Sequence, residues 1–594
     1  MSFFFLDLDS YFLCSLLPEI SLISYVLLLI TTAVTTKIKD KPTILPIFLE
    51  SCACLFVSLI VYLIFLLNTN LFPTELTVFF CYNTLKLSQF LIYIKIILIL
   101  LALGSILIIK RYLMLYQLVG YEYPIIIVLA TVAMFFSISA NNWIILFLAL
   151  ELQALCFLVL FAWNRRSEKA INATLKFTVI NFVASTFILL AFIEIILYTQ
   201  TFNIYLANPV FLLKNLLSVF YIKGKVYDPY FLVWGIRHSI DSFQYHYFLD
   251  LKNFVHNFKE NAEYGSFFLN YFWYLVDNPG HLFQIVTETQ GFSYNPVWQF
   301  VGFLIIVGFA MKLGLVPFGF WLQDLYTSVS IPVLMFFATA PKITYVTVLL
   351  SLYINLFSFV NPEAFLYPLL ILGIITIVVS NLMMFTIRNN LLNLLAWSSI
   401  ANMGLLFLIF GKYPLQGYLL TYIIYYVFGT YIFFLALQYF VMMDNSGIVR
   451  HPMYFTDITV VSTHIQYKQL YIILIFSFLN FFGIPPLIGF WMKYSIFQGL
   501  VVNLTSFIDW FYILSLIMIT IIGGFSYIRV LYTILTENNN LGLNLLYWPD
   551  TQKDVIIIFI IFVTFQLLSF FFFDTFLSLF NISVLLMNNC LIVL

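Results

Sequence analysis

Apolar residues run along this chain in long blocks, separated by short polar stretches and by one long mixed segment. A helix needs about 20 such residues to cross roughly 30 Å of hydrocarbon. On that measure the pattern predicts fourteen membrane spans. Six precede the mixed segment, at 11–36, 44–67, 88–109, 123–140, 142–164 and 171–199. Eight follow it, at 297–318, 329–355, 364–386, 391–411, 414–440, 469–496, 504–535 and 555–580. The expected fold is all-α and polytopic. Residues 1–122 carry the first three spans, 123–199 spans four to six, 200–296 an extramembrane insertion, and 297–355 spans seven and eight. Residues 356–540 then carry spans nine to thirteen, and 541–594 the last.

Composition narrows the chemistry. Of 594 residues 63% are hydrophobic and 9% charged, against roughly 25% charged in an ordinary globular protein. The mean hydropathy is +1.03, which excludes a soluble fold. The 26 Lys plus Arg balance the 26 Asp plus Glu without any run of five like charges, so nucleic acid is not an expected partner. The cysteines (Cys14, Cys52, Cys54, Cys81, Cys156 and Cys590) lack the close pairing of zinc or iron–sulfur sites. The histidines (His238, His246, His256, His281, His451 and His464) lie in polar stretches, not at membrane depth where haem or copper would need them. No metal or cofactor is expected. Asp7 and Asp9, with no base in the first ten residues, read as neither a presequence nor a secretory signal. The 69 Phe and 39 Tyr beside 23 Gly match an AT-rich genome such as organelles often have, although mutational bias alone explains them.

Basic residues in short loops mark the side of insertion. The odd-numbered loops hold twelve: Lys37, Lys39, Lys41, Lys110, Arg111, Arg165, Arg166, Lys169, Arg388, Arg450, Lys468 and Lys553. The short even-numbered loops hold two, Lys86 and Lys412. Both termini are therefore expected outside, together with the 200–296 segment.

An ionisable residue near the bilayer centre costs about 2.5 to 3.5 kcal/mol on insertion scales, so each needs a partner, a wet cavity or a function. Four stand out: Glu151 in the fifth span, Lys312 in the seventh, Lys342 after Pro341 in the eighth, and Lys493 in the twelfth. One buried Glu–Lys pair would be an ordinary device for fixing helix packing. Three lysines against one glutamate leave a surplus of ammonium groups that hydrocarbon disfavours, and such groups exchange protons. A proton relay is the expected role. Lys342 has no acid in its own or a neighbouring span, so hydroxyls such as Thr339 or Thr344, or water, are expected to bridge it. Glu19, Lys95, Glu194 and Arg529 lie near span ends and are expected at the interface.

Two of these lysines sit beside helix breakers, in Lys312-Leu313-Gly314-Leu315-Val316-Pro317-Phe318-Gly319 and in Gly483-Ile484-Pro485-Pro486-Leu487-Ile488-Gly489-Phe490-Trp491-Met492-Lys493. Proline removes an amide donor, and lipid tolerates the gap only where protein or water satisfies the backbone. Paired broken helices point to inverted repeats with an ion pathway between them. Two ordinary proline kinks are the alternative.

With these stretches the sequence resembles the antiporter-like subunits of respiratory complex I, chain 2 of NADH:ubiquinone oxidoreductase most closely. The resemblance is carried by Glu151-Leu152-Gln153 with Leu175-Lys176-Phe177, by Lys312 to Phe318 with Trp321 and Asp324, and by Ala340-Pro341-Lys342-Ile343. Leu395 to Ile400 with Met403-Gly404, Gly483 to Leu487 through Lys493, and Leu17-Pro18-Glu19-Ile20 add to it. It covers 120–199 and 297–535 well and 200–296 not at all. It implies fourteen helices with two inverted five-helix units and broken helices seven and twelve. Glu151 would pair with Lys312, Lys342 would be the central relay, and Lys493 the outlet-side lysine. Lysine rather than glutamate at 493 separates it from chain 4, and a long lateral helix like that of chain 5 is not expected after span fourteen. The family usually has histidine after Pro-Phe, where this chain has Gly319.

The implied function is proton translocation by a non-redox subunit, driven by NADH:ubiquinone electron transfer elsewhere, in the mitochondrial inner membrane. Its partners would be other membrane subunits of complex I, accessory subunits bound through 200–296, and lipids. A monovalent cation/proton antiporter and a passive structural spacer are the alternatives.

Overall fold

A segment that is apolar on every face must satisfy its backbone donors and acceptors internally, and in hydrocarbon the helix does so. The computed structural model describes residues 18–32, 44–67, 78–80, 84–115, 122–163, 167–199, 201–204, 296–357, 362–387, 390–411, 416–439, 442–443, 449–450, 468–485, 487–502, 507–536, 544–545 and 564. The helices are α1 (Pro18–Thr32), α2 (Ile44–Leu67), α3 (Gln89–Leu115), α4 (Glu122–Ser139), α5 (Trp143–Phe161) and α6 (Glu168–Thr199). They continue with α7 (Pro296–Leu313), α8 (Phe320–Ser328), α9 (Ile331–Leu352, closed by a π-helical turn at Tyr353–Phe357), α10 (Pro362–Thr386) and α11 (Leu391–Gly411). The last are α12 (Gln416–Tyr439), α13 (Lys468–Phe482), α14 (Ile488–Val502) and α15 (Phe507–Thr536). Among the described residues nine helices are long and apolar enough to cross a membrane.

Every expected span up to the thirteenth falls on described helix. The expected fourteenth, 555–580, lies outside the described residues except for Thr564, as do all six histidines and 205–295. Span twelve is split into α13 and α14, and span seven is helical only as far as Leu313, where α7 ends, with α8 following the break. Helix α8 occupies a stretch the hydropathy pattern left between two spans.

Short strands complete the chain. β1 (Val78–Phe80) and β2 (Leu85–Leu87) form an antiparallel hairpin in register Val78↔Leu87. Leu85 bridges to Ala140, and Asn141 N–H donates to Thr84 O at 2.8 Å, tying the hairpin to the α4–α5 turn. Asn142 caps α5 there, accepting from Ile144 N–H at 2.9 Å. β3 (Met442–Met443) lies between β4 (Val449–Arg450) and β5 (Asn544–Leu545), antiparallel to both.

The chain divides into two compact units. Residues 1–189, 305–350 and 366–594 form the first, which holds every charged residue considered below. Residues 190–304 with 351–365 form the second. In it Trp298 meets Phe357 edge-on at 6.2 Å and Phe357 stacks on Phe365 at 4.4 Å.

Burial is uneven. The span of α9 is wholly enclosed and that of α11 is 94% enclosed, whereas α6, α10 and α15 show 33%, 39% and 39%. Lys342 therefore sits on the most enclosed helix. Glu19 and Lys95 depart from expectation: they are 2% and 0% exposed and form an ion pair, with Tyr62 donating to Glu19 Oε1 at 2.9 Å. Position near a span end left room for snorkelling, but Glu19 of α1 and Lys95 of α3 are buried against each other and Tyr62 of α2, and pairing offsets part of the cost of burying both charges. Arg529 is half-exposed and donates to Phe385 O and Ile387 O.

Candidate functional site

Helix α7 ends in a Schellman cap, in which Gly314 at φ +72° lets Gly314 N–H reach Met311 O at 3.2 Å and Leu315 N–H reach Ala310 O at 2.9 Å. Lys312 is thereby fixed in the last turn. Its Nζ donates to Glu151 Oε1 on α5 and to Asn181 Oδ1 on α6, each at 3.1 Å. The lysine side chain is 1% exposed and the glutamate 20%. The carboxylate keeps an open flank; the ammonium does not. The sequence signalled the Glu–Lys pair but not Asn181, because a neutral amide in an apolar helix carries no hydropathy signal.

Helix α13 also ends at a positive-φ glycine, Gly483 at φ +88°, but here Gly483 N–H and Ile484 N–H are both directed at Leu479 O, at 2.9 and 3.3 Å. Here the lysine comes after the break. Lys493 on α14 reaches back and donates to Phe481 O at 2.8 Å and Phe482 O at 3.0 Å, the carbonyls that α13 leaves open. Asn480 Oδ1 accepts from Gly489 N–H at 2.8 Å, so each half-helix caps the other.

Between the breaks lies Lys342, 5% exposed. Its Nζ donates to the Tyr426 hydroxyl on α12 at 3.0 Å. The expected threonine bridge is not formed. Thr339 donates to Met335 O and Phe336 O, and Thr344 to Pro341 O, because a buried helix offers a hydroxyl the carbonyl three or four residues back. Thr344 accepts instead from Gln153 of α5 at 3.2 Å, two residues from Glu151. Among the described residues neither Lys342 nor Lys493 has an acidic partner.

Lys176 and Asp324, quoted above only for resemblance, form an exposed ion pair between α6 and α8. They line a polar cavity of about 400 Å³ with Lys169, Asn390 and Asn393. Next to Lys176 along α6, Phe177 packs against Trp321 at 5.3 Å and Phe161 at 5.1 Å.

Gly319 is required by the fold. A Cβ there would lie 2.2 Å from Gly314 O, so this backbone admits no histidine. Among the described residues no cluster of His, Cys, Asp and Glu could hold a metal ion.

Two buried lysines and a half-buried third, on and between two broken helices and one of them neutralised by an acid, define the membrane domain of an ion-translocating protein. The chain belongs to the family described as NADH:quinone oxidoreductase/Mrp antiporter, transmembrane, which it matches over residues 140–222 and 265–521. The match enters the 200–296 segment from both sides, so the stretch without family counterpart is narrower than expected, 223–264. Subunit N of the NADH-quinone oxidoreductase of Erythrobacter litoralis is 26% identical over 445 residues, 74% of this chain and 72% of that protein. Two solved structures share the fold. A chain of respiratory complex I from Thermus thermophilus with bound aureothin has a TM-score of 0.60 at 17% identity, covering 93% of this chain and 97% of that one. A chain of the Mrp complex of a Dietzia species has 0.64 at 12%, covering 97% and 98%.

Proposed function

We propose that this chain is the proton-translocating, antiporter-like subunit of a respiratory NADH:ubiquinone oxidoreductase, a non-redox member of the complex in the mitochondrial inner membrane. The observation that carries it is the uneven pairing of the lysines: Lys312 holds a carboxylate, while Lys342 and Lys493 hold only a phenol and two carbonyls. A passive spacer has no use for unpaired ammonium groups in hydrocarbon. Glu151 and Lys312 act as a switch, the glutamate holding the proton on the lysine when close and releasing it when the helices separate. Lys342 is the central relay and Lys493 the outlet-side lysine. Glu151→Gln removes the charge and keeps the shape. It should cut pumping several-fold while the complex still assembles and reduces quinone; full pumping in that variant sinks the switch.

A monovalent cation/proton antiporter is the second reading, favoured by the fold shared with the Mrp chain. Native electrophoresis separates the two, because the complex I subunit co-migrates with NADH dehydrogenase activity and an autonomous antiporter does not. Residues 200–296 are read as an outer-side segment, facing the intermembrane space, that binds accessory subunits, and the neighbouring spans as contacts for other membrane subunits and lipid. Its aromatic residues, such as Trp234, Tyr271 and Trp273, would otherwise expose a large apolar patch. In vesicles turned matrix side out, cleavage inside this segment by added protease would contradict that topology.

A further inference from the structure

We propose that Tyr426 is the proton bridge between Lys342 and Lys493, a role that rests on the relay reading above and adds to it a residue and a route. Three observations converge on this hydroxyl. First, it accepts from Lys342 Nζ at 3.0 Å, the one hydrogen bond that this ammonium makes among the described residues. Second, Tyr426 and Lys493 line the same cavity, about 40 Å³, together with Tyr422, Asn402 and Asn480. That volume holds about two or three waters, and the polar lining supplies the partners each needs. Third, the lysine at the far side is arranged as an acceptor. A neutral amine has two N–H bonds and one lone pair, and Lys493 already donates to two carbonyls, Phe481 O and Phe482 O. The remaining position on its nitrogen is the one left for a proton from the cavity.

With its oxygen already accepting from Lys342, the Tyr426 hydroxyl turns about the phenol C–O bond and directs its own proton to cavity water. Asn402, held by Tyr422 at 2.8 Å and donating to Ser398 O at 2.8 Å, keeps that wall polar and in place. In the transfer the N–H bond of the Lys342 ammonium breaks and a bond to Tyr426 oxygen forms. The original phenol O–H proton passes to water, and a water proton bonds to Lys493. The net change is one proton from Lys342 to Lys493; the tyrosine and the water are restored.

The test uses the assembled complex in sealed vesicles, measuring protons moved per NADH oxidised and, separately, quinone reduction with uncoupler. Tyr426→Phe keeps the ring and loses the hydroxyl. It should reduce the proton yield several-fold in this subunit's pathway without lowering uncoupled turnover. Tyr426→His returns a group that accepts and donates but packs worse. A relay predicts that His pumps better than Phe, whereas a packing role predicts the reverse order. Lys342→Met, run beside them, separates the levels. If it abolishes the yield and Tyr426→Phe does not, the tyrosine bridge is overturned and the relay reading stands; if Lys342→Met pumps fully, the relay reading itself falls. A map of the complex that resolves waters should show one within hydrogen-bond distance of both Tyr426 and Lys493, and a dry cavity overturns the route.

Discussion

The two helix breaks solve one backbone problem with lysines on opposite sides of the gap. At α7–α8 the lysine precedes the positive-φ glycine, and its ammonium turns sideways to a carboxylate and an amide on other helices. At α13–α14 the lysine follows the glycine, and its nitrogen turns back to the open carbonyls of the helix just ended. One ammonium is held by a charge that helix motion can withdraw. The other is held by dipoles of its own break, which move with it. A proton at Lys312 is therefore sensitive to the spacing of α5 and α7, and a proton at Lys493 to what arrives from the cavity.

The largest effect expected from this comparison is at the glycines that close each gap. A Cβ at Gly489 would meet Asn480 O at 1.9 Å and one at Gly319 would meet Gly314 O at 2.2 Å. Gly489→Ala and Gly319→Ala should each cost roughly 3 kcal/mol or more, since backbone atoms cannot step aside cheaply. Loss of assembled complex on native gels measures this, and normal assembly of both would show that the breaks are looser than described. Next, Lys312→Met leaves the Glu151 carboxylate without its partner, a loss of about 3 to 5 kcal/mol where such a pair is buried, less here because the carboxylate has an open flank. Lys493→Met strands no charge and uncaps two carbonyls beside the cavity, where water takes the place of the amine, so it should cost only the net worth of a hydrogen bond, about 0.5 to 1.5 kcal/mol. Thermal denaturation of the solubilised complex should place the Lys312 variant below the Lys493 variant; the opposite order breaks the comparison.

Smaller effects sharpen it. Asn480→Ala removes the side chain that accepts from Gly489 N–H, and should cost about 1 kcal/mol, as a lost cap does. The same substitution at Asn181 removes a partner of the Lys312 ammonium and should alter pumping more than stability, which a paired assay of proton yield and denaturation checks. An effect of opposite sign lies away from both breaks, at Lys86 of the β1–β2 hairpin, where burial lowers the pKa to about 8. The folded state then disfavours the ammonium. The penalty is full below pH 8, fades as pH rises from there to about 10.5, and is absent above. Lys86→Met should raise thermal stability at neutral pH and not at pH 10.5; an equal gain at both values would exclude desolvation as the cause.

Much of the fold was legible because hydropathy reports the one constraint that lipid imposes, apolar length. Spans as different as 44–67 and 391–411 fell on helix for that reason. Both breaks were legible too, since Gly, Pro and Lys within a few residues mark backbone that needs other partners. Helix α8 was not, because its charged Asp324 and polar Gln323 and Thr327 read as a loop. The site was half legible. Glu151, Lys312, Lys342 and Lys493 declare themselves by charge, whereas Asn181 and Tyr426 are ordinary residues of apolar helices until the fold sets them 3.1 and 3.0 Å from an ammonium.

The sequence by itself determined which residues must be helical, where two of the helices must break, and which lysines need an answer in the bilayer. All of these follow from local composition, because desolvation acts on each segment wherever it is placed. Only the tertiary structure decided the answers. It gave Lys312 an acid, Lys342 a phenol and Lys493 two carbonyls, and it buried Glu19 against Lys95 where span ends suggested the interface. Hydrogen bonds and ion pairs act over about 3 Å, and no periodicity along a helix says which neighbour will stand at that distance.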